Sequence, residues 1–303
     1  MNIQNLNRSV FRFIGTRNWL RLGIRFRVFK KFKPRDCPFV IPFFGYSYRG
    51  NLNNYIDRTA YFYGAYEKEN LELLRRFLDE RSVVLDMGAN TGHHSLFFSS
   101  IAAEVHAFEP FPEFVAIIRE RIRENRIHNI HVHPVGLGDT DEFITYYKAV
   151  GDNLGLGSFF REHAREKDDK NTPAEKLPIR AADRYISNMQ LKRIDVIKID
   201  VEGYEKKVLE GLQRTLKKYR PIVMMEFSRT TQQSFSTLQE FSDLIPGYLP
   251  YAIRANQPRW ILFNDPRPRT VGFNFSKPRG DVLLIPAGKY SDPHHLSDPR
   301  AAQ

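Results

Sequence analysis

"VVLDMGANTGHHSLFF", Val83 to Phe98, decides the reading of this chain. Its first half is an apolar run of buried-strand length, and its second half has the pattern of a helix. Between them lie Asp86, Gly88, Asn90 and Gly92. A strand that bends through glycines into a helix brings backbone N–H groups and a helix N-terminus to the carboxyl edge of a sheet, where open α/β sheets bind ligands. Gly88 and Gly92 are expected to let a ligand approach the backbone with no Cβ in the way. The spacing D-x-G-x-N-x-G differs from the G-x-G-x-x-G that meets a pyrophosphate. A carboxylate ahead of the first glycine suits a ligand that carries an ammonium group.

The following strands extend this site. "EVHAFEP" ends at Glu109, whose carboxylate is suited to accept both hydroxyls of a ribose. "GLGD" follows the third strand and places Asp139 either against an adenine amino group or in a plain turn. An acid for an ammonium group and a second for a ribose suit a ligand such as S-adenosylmethionine. In "KIDVEGYE", Asp200 and Glu202 are two apart, which in an extended chain turns both to one side. Glu226 ends the next strand at the same edge. Three such acids would bind a cation, orient a substrate hydroxyl or act as a base. No His or Cys completes a ligand set, so no metal is expected. His93 and His94 open the first helix either as further base candidates, His93 foremost, or as packed neutral rings. His128, His131 and His133 surround the third strand and read as structural. No aromatic Asn/Asp-Pro-Pro segment is present, which argues against a nucleic-acid base as acceptor.

Strand-like runs alternate with helical ones through the body. "SVVLDMGA", "EVHAFEP", "IHVHPVGLGD", "IDVIKIDVE" and "PIVMMEFS" read as strands. "GHHSLFFSSIA", "PEFVAIIRERIREN" and "YEKKVLEGLQRTLKKY" read as helices, preceded by a helix over "GAYEKENLELLRRFLDE". Such alternation predicts a mainly parallel sheet with helices on both faces. Two final runs, "YAIRANQPRWILF" and "GDVLLIPAG", have no helix between them and are expected to pair antiparallel at the sheet edge. Residues 161–176 are charged and read as a loop or lid, and Pro34, Pro38 and Pro42 mark a connecting segment. The expected organisation is a basic extension and linker over 1–50, one catalytic domain over 51–290 and a tail over 291–303.

Composition bounds the rest. Of 303 residues, 42% are hydrophobic, enough to bury a substantial core. One cysteine, Cys37, excludes an internal disulfide framework and suits a reducing compartment. No apolar run reaches the roughly 18 residues of a membrane span, and a cytoplasmic protein is expected. The formal net charge is +11, and ten of these charges sit in residues 1–35, which contain no acid. Aromatic and aliphatic residues are spread among those cations, as in a helix that meets an anionic membrane surface or packs on the body. The body has no basic face, so nucleic acid is not expected as a partner.

The glycine bend, "HAFEPFPE", "GAYE", "GLGSFF" and above all "IDVIKIDVEGYEKKVLEG" resemble the FkbM family of S-adenosylmethionine-dependent methyltransferases, over roughly residues 60–228. The resemblance implies the class I methyltransferase fold, a Rossmann-like, mainly parallel sheet with an antiparallel edge strand. It also implies S-adenosylmethionine as cofactor and methylation of a hydroxyl on a sugar, glycan or secondary metabolite. Asp86, Gly88, Asn90, Gly92, Glu109, Asp139 and Glu67 would then contact the cofactor, with Asp200, Glu202 and His93 at the acceptor. His93 and His94 depart from the Glu or polar residue expected after the second glycine. A NAD-dependent oxidoreductase on a Rossmann sheet and a non-catalytic membrane-surface module are the competing readings.

Overall fold

The computed structural model describes residues 36–148, 172–254, 269–276 and 280–289. The basic extension over 1–35, "GLGSFF" and the tail lie outside the described residues. The chain opens with β1 (Pro38–Phe43) and β2 (Tyr46–Asn51), then α1 (Tyr55–Tyr63) and α2 (Lys68–Leu74). The alternating part runs β3 (Val83–Met87), α3 (His93–Ser99), β4 (Glu104–Phe108), α4 (Pro112–Asn125) and β5 (Ile130–His133). It continues with β6 (Gly136–Gly138), β7 (Glu142–Lys148), β8 (Thr172–Ala181), α5 (Ala182–Asn188), β9 (Val196–Ile199), α6 (Glu205–Gly211), α7 (Gln213–Tyr219) and β10 (Ile222–Glu226). Last come α8 (Arg229–Ser234), α9 (Leu238–Asp243), β11 (Tyr248–Arg254), β12 (Arg269–Gly272) and β13 (Asp281–Pro286).

The central sheet has the order β12-β11-β13-β10-β9-β3-β4-β5. β10, β9, β3, β4 and β5 are mutually parallel, whereas β13, β11 and β12 join antiparallel. This is the expected α/β fold. Alternate strand residues feed two cores, as the two-residue period of a strand requires. Val84 and Val196 pack with Leu96, Phe97 and Ile118 on one face. Leu85, Met87, Ile197 and Ile199 pack with Val208, Leu209 and Leu216 on the other.

Several elements differ from their sequence expectation. Pro38 and Pro42 stand in β1 of a two-stranded hairpin instead of a connecting segment, and a two-stranded sheet has only edge strands, where proline is tolerated. "IHVHPVGLGD" splits into β5 and β6, and β6 joins a separate three-stranded sheet of order β6-β8-β7. Thr172–Lys176 belong to β8 of that sheet and not to a loop. The helix expected over Tyr204–Tyr219 breaks at Leu212 into α6 and α7. Gly211 lies so close to β6 that a Cβ there would fall 2.0 Å from the Gly138 carbonyl oxygen. The Asp183 carboxylate then accepts the Arg214 and Thr215 N–H groups that open the second helix (2.7 and 2.8 Å). The antiparallel pair near the C-terminus is present as β11 and β13, but β13 is inserted between β11 and β10 and is not an edge strand. Among the described residues, no helix is long and apolar enough to cross a membrane.

Candidate active site

The bend after β3 is built from left-handed backbone at Gly88 (φ 80°), Asn90 (φ 51°) and Gly92 (φ 79°). The two glycines serve the protein's own packing. A Cβ on Gly88 would fall 1.8 Å from the Asp200 carbonyl oxygen, and one on Gly92 2.9 Å from the Ile118 side chain. The Gly88 and Ala89 N–H groups donate to Phe108 O, both at 3.0 Å. Glu109 follows directly and is 95% buried. Its Oε2 accepts the Asn90 N–H (2.7 Å) and its Oε1 the Phe111 N–H (2.9 Å). Two N–H groups leave a carboxylate about half of its roughly four lone-pair sites. Burial pushes the Glu109 carboxyl up to about 8, against the pull of those two N–H groups.

A cavity of about 490 Å³ opens over this bend. Gly88, Ala89 and Asn90 line one side, with Glu109 and Phe111 beside them. Asp200, Glu202, Tyr204 and Glu226 line the opposite side, and Asn54, Tyr55 and Ile56 contribute from the start of α1. Tyr66, Glu67, His93, His94 and Lys198 complete the polar wall.

Lys198 organises the charges. It stands on buried β9 in register with Asp86 of β3, so both side chains share one face. Its Nζ lies 3.1 Å from Asp200 Oδ2 and 4.0 Å from Asp86 Oδ1. Burial alone would drive such an amine neutral; Asp200, Asp86 and Glu67 outweigh it and hold the ammonium above its ordinary range. Glu67 has left-handed backbone (φ 49°) just before α2 and meets His94 Nε2 at 3.3 Å. Burial opposes its ionisation, yet His94, Lys198 and the Tyr66 hydroxyl carry its carboxyl down to about 2. Glu226 behaves oppositely. Burial, together with the charges of Asp200, Glu205, Glu202 and Asp281, pushes it up to about 9. Asp281 faces Glu226 across β13 and β10, and burial beside Glu67 and Asp200 raises it to about 8. The loop after β9 is stitched by buried Glu205, which accepts from the Val201 and Gly203 N–H groups and the Thr231 hydroxyl.

The pattern of the methyltransferase FkbM domain matches residues 86–250, more than half of the chain. The chain belongs to this family. It is 30% identical over 199 residues to the AMB antimetabolite synthetase AmbE of Pseudomonas aeruginosa, covering 54% of this chain and only 9% of that protein. It is 26% identical over 176 residues to the 2-O-methyltransferase NoeI of Sinorhizobium fredii, covering 55% and 72%. A crystal structure of methyltransferase FkbM from Methylobacillus flagellatus superposes with a TM-score of 0.43 at 15% identity, covering 68% of this chain and 44% of that one.

Within the FkbM domain and the segment before it, Gly88, Asn90, Glu109, Glu67, Asp200, Glu202 and His93 all border one cavity. Asp86, Gly92 and Asp139 do not. Asp86 is fully buried behind the wall, where Ser95 Oγ donates to its Oδ2 (2.5 Å) and the ammonium it faces is that of Lys198. Gly92 packs on α4, and Asp139 receives the Lys207 ammonium at 2.8 Å. Asp200 and Glu202 meet the cavity for a different reason from the one expected. β9 ends at Ile199, and Glu202 has left-handed backbone (φ 53°), so the two do not alternate along a strand. His93 Nε2 accepts the Tyr66 N–H (3.0 Å), and burial holds the imidazole well below its ordinary range. Its basic lone pair is thus occupied. Lys198, Tyr66, Asp281 and the α1 residues escaped the sequence analysis. A lysine in the otherwise apolar "VIKI" was the available signal for the first. Among the described residues, no group of three or more His, Cys, Asp or Glu side chains is placed to hold a metal ion.

Outside the cavity, the histidines form a chain. His106 Nδ1 lies 3.0 Å from His133 Nε2, and His133 Nδ1 lies 3.1 Å from the Tyr185 hydroxyl. Burial, then repulsion from neighbouring histidines, carries both His106 and His133 down to about 4. At these two positions the unfolded chain binds more protons between pH 6.5 and about 4, so their contribution to stability is lost as pH falls through that window. Glu109, Glu226 and Asp281 contribute in the opposite sense there, so the expected result is a difference: from pH 7 to pH 5 the urea midpoint of the wild type falls relative to that of His133→Asn. Parallel profiles for the two proteins would dissociate the pair from acid sensitivity.

Proposed function

We propose that this protein is an S-adenosylmethionine-dependent O-methyltransferase whose acceptor is a hydroxyl of a sugar or glycan. The observation that carries this is the single cavity joining the glycine bend and Glu109 to Asp200, Glu202 and Glu226. The cofactor fits the residues present. The cavity lies within the roughly 300–1,000 Å³ common for such sites, Glu109 retains acceptor capacity for two ribose hydroxyls, and the carboxylate-rich wall suits a cationic ligand. Glu109 and Asn90 would hold the nucleoside part and Glu67 the cationic end. Bound there, the sulfonium supplies an already activated methyl group. Asp200 and Glu202 orient the acceptor hydroxyl, and positioning of this kind contributes up to about 7–11 kcal/mol.

Asp200, anchored by Lys198, is taken as the base, with Glu202 on the same wall as the alternative. Glu67 is a weak base tied to His94, Glu226 is protonated at neutral pH and donates, Glu109 holds the bend, and His93 has no free lone pair. The same wall disfavours a phosphorylated or otherwise anionic acceptor and suits a neutral polyhydroxyl. The relative NoeI, a 2-O-methyltransferase by name, supports a hydroxyl acceptor, and membership in a methyltransferase family favours this reading over dinucleotide oxidation. Transfer of labelled methyl from S-adenosylmethionine to a panel of neutral and phosphorylated glycans tests it.

Glu109→Ala is expected to weaken S-adenosylhomocysteine binding by about 1.5–3 kcal/mol, the value of hydrogen bonds to a charged partner. Since the ionised carboxylate is the better acceptor and its proton leaves near pH 8, affinity of the wild type is expected to rise from pH 7 through pH 8 and to level above about pH 9, where the full effect of Glu109→Ala is read. Calorimetry across that range on both proteins is the check; equal affinities would place the ribose elsewhere.

Residues 1–35, with ten cations and no acid, are proposed to hold the enzyme at the cytoplasmic face of an anionic membrane, at about 1 kcal/mol per engaged Lys or Arg. The full chain is expected to sediment with phosphatidylserine liposomes, less so in high salt. Removal of residues 1–35 should abolish sedimentation and leave cofactor binding intact. Undiminished sedimentation of the truncated protein would refute the anchor.

A further inference from the structure

We propose that Arg121 is a positioning residue for the glycine bend, and that through it the β1–β2 hairpin and α1 become part of the cofactor site. The inference rests on reading the cavity as that site. Arg121 projects from α4 and is almost fully buried. Its Nη1 donates to the Thr91 carbonyl (2.8 Å) and hydroxyl (3.2 Å). Its Nη2 donates to the Arg49 carbonyl (3.2 Å) and to Asp57 Oδ1 (3.3 Å). The guanidinium also lies 4.1 Å from the centre of the Tyr48 ring. One side chain thus joins the glycine bend, β2 and α1.

The partner is itself fixed. Asp57 is buried in the first turn of α1 and accepts the Tyr48 hydroxyl (2.6 Å) and the Asn51 N–H (2.9 Å). Asn54, Tyr55 and Ile56, immediately before it, line the cavity. Thr91 sits between Asn90, which Glu109 holds by its N–H, and Gly92. Glu109 therefore restrains the bend on one flank and Arg121 on the other. A planar fork with five donors reaches these acceptors together, whereas a lysine offers a point charge on a flexible stem. Arg49 and Asp57 precede the 86–250 stretch that carries the family pattern, and Thr91 and Arg121 lie inside it. The conserved-pattern core is completed by a wall that the preceding segment supplies.

Arg121→Lys in the full chain tests this. Hydrogen exchange of the ligand-free protein is expected to quicken in peptides covering 88–92 while β9 and β10 keep their protection, a pattern that general destabilisation does not produce. The dissociation constant for S-adenosylhomocysteine is expected to rise at least tenfold. Arg123→Ala, exposed on the same helix, should change neither. If the wild type binds S-adenosylhomocysteine and Arg121→Lys binds it equally with unchanged exchange at 88–92, the inference is overturned and the cofactor reading stands. If the wild type does not bind it, the cofactor reading fails, and exchange alone decides whether Arg121 holds the bend. Should Arg121→Lys not fold, Tyr48→Phe removes only the hydroxyl that orients Asp57; the same local quickening supports the inference and unchanged exchange overturns it.

Discussion

Asp200→Asn is expected to slow methyl transfer by about 10²–10⁴, the usual contribution of a positioned proton acceptor, while cofactor affinity changes far less. The carboxylate stands on the cavity wall with Lys198 Nζ 3.1 Å from its Oδ2, so one oxygen is anchored and the other remains for the acceptor hydroxyl. An amide keeps the shape and loses the ability to take a proton. The split between rate and affinity distinguishes a base from a binding group, because an interaction made only in the transition state lowers kcat without weakening the ground-state complex. Single-turnover transfer to an acceptor found in the glycan panel, set against calorimetric affinity, provides both numbers. Glu202→Gln is expected to give a smaller loss in the same direction. Wild-type turnover in both variants would remove the two acids from the chemistry.

Lys198→Met is expected to cost about 3–5 kcal/mol of stability, the range for leaving a buried charge without its partner. Asp86 is fully buried, and its Oδ1 makes no hydrogen bond. The ammonium at 4.0 Å is the nearby charge that offsets this burial. Asp86→Asn in the Lys198→Met background removes the stranded charge and is expected to recover part of the loss, although the single Asp86→Asn destabilises. Urea unfolding of the three variants measures the coupling. A double variant no more stable than Lys198→Met would mean that Asp86 and Lys198 do not depend on each other.

β3, β4 and β9 were legible because each is a short apolar run closed by a nearby glycine or proline and followed by a helical period. The glycine bend and Glu109 were legible because their spacing is local. What escaped depends on contacts between distant residues. Lys198 is two residues from Asp200, but its meaning comes from Asp86 on the neighbouring strand. Asp281 joins the acid cluster only because β13 returns to lie against β10. The break at Leu212 follows from the approach of Gly211 to β6, which no helical period encodes. At Gly88 and Gly92 the close neighbours within the protein are Asp200 and Ile118, contacts that the sequence does not show, and Gly88 also lines the cavity.

The place of β13 has a consequence for synthesis. Among the strands described it leaves the ribosome last, yet it lies inside the sheet between β10 and β11. Until Asp281–Pro286 emerge, β10 presents an open edge and β11 has no neighbour that ties it to the parallel strands. The glycine bend and β9 are complete long before this, so the nascent chain holds a half-built sheet with an exposed edge, a state prone to wrong pairing.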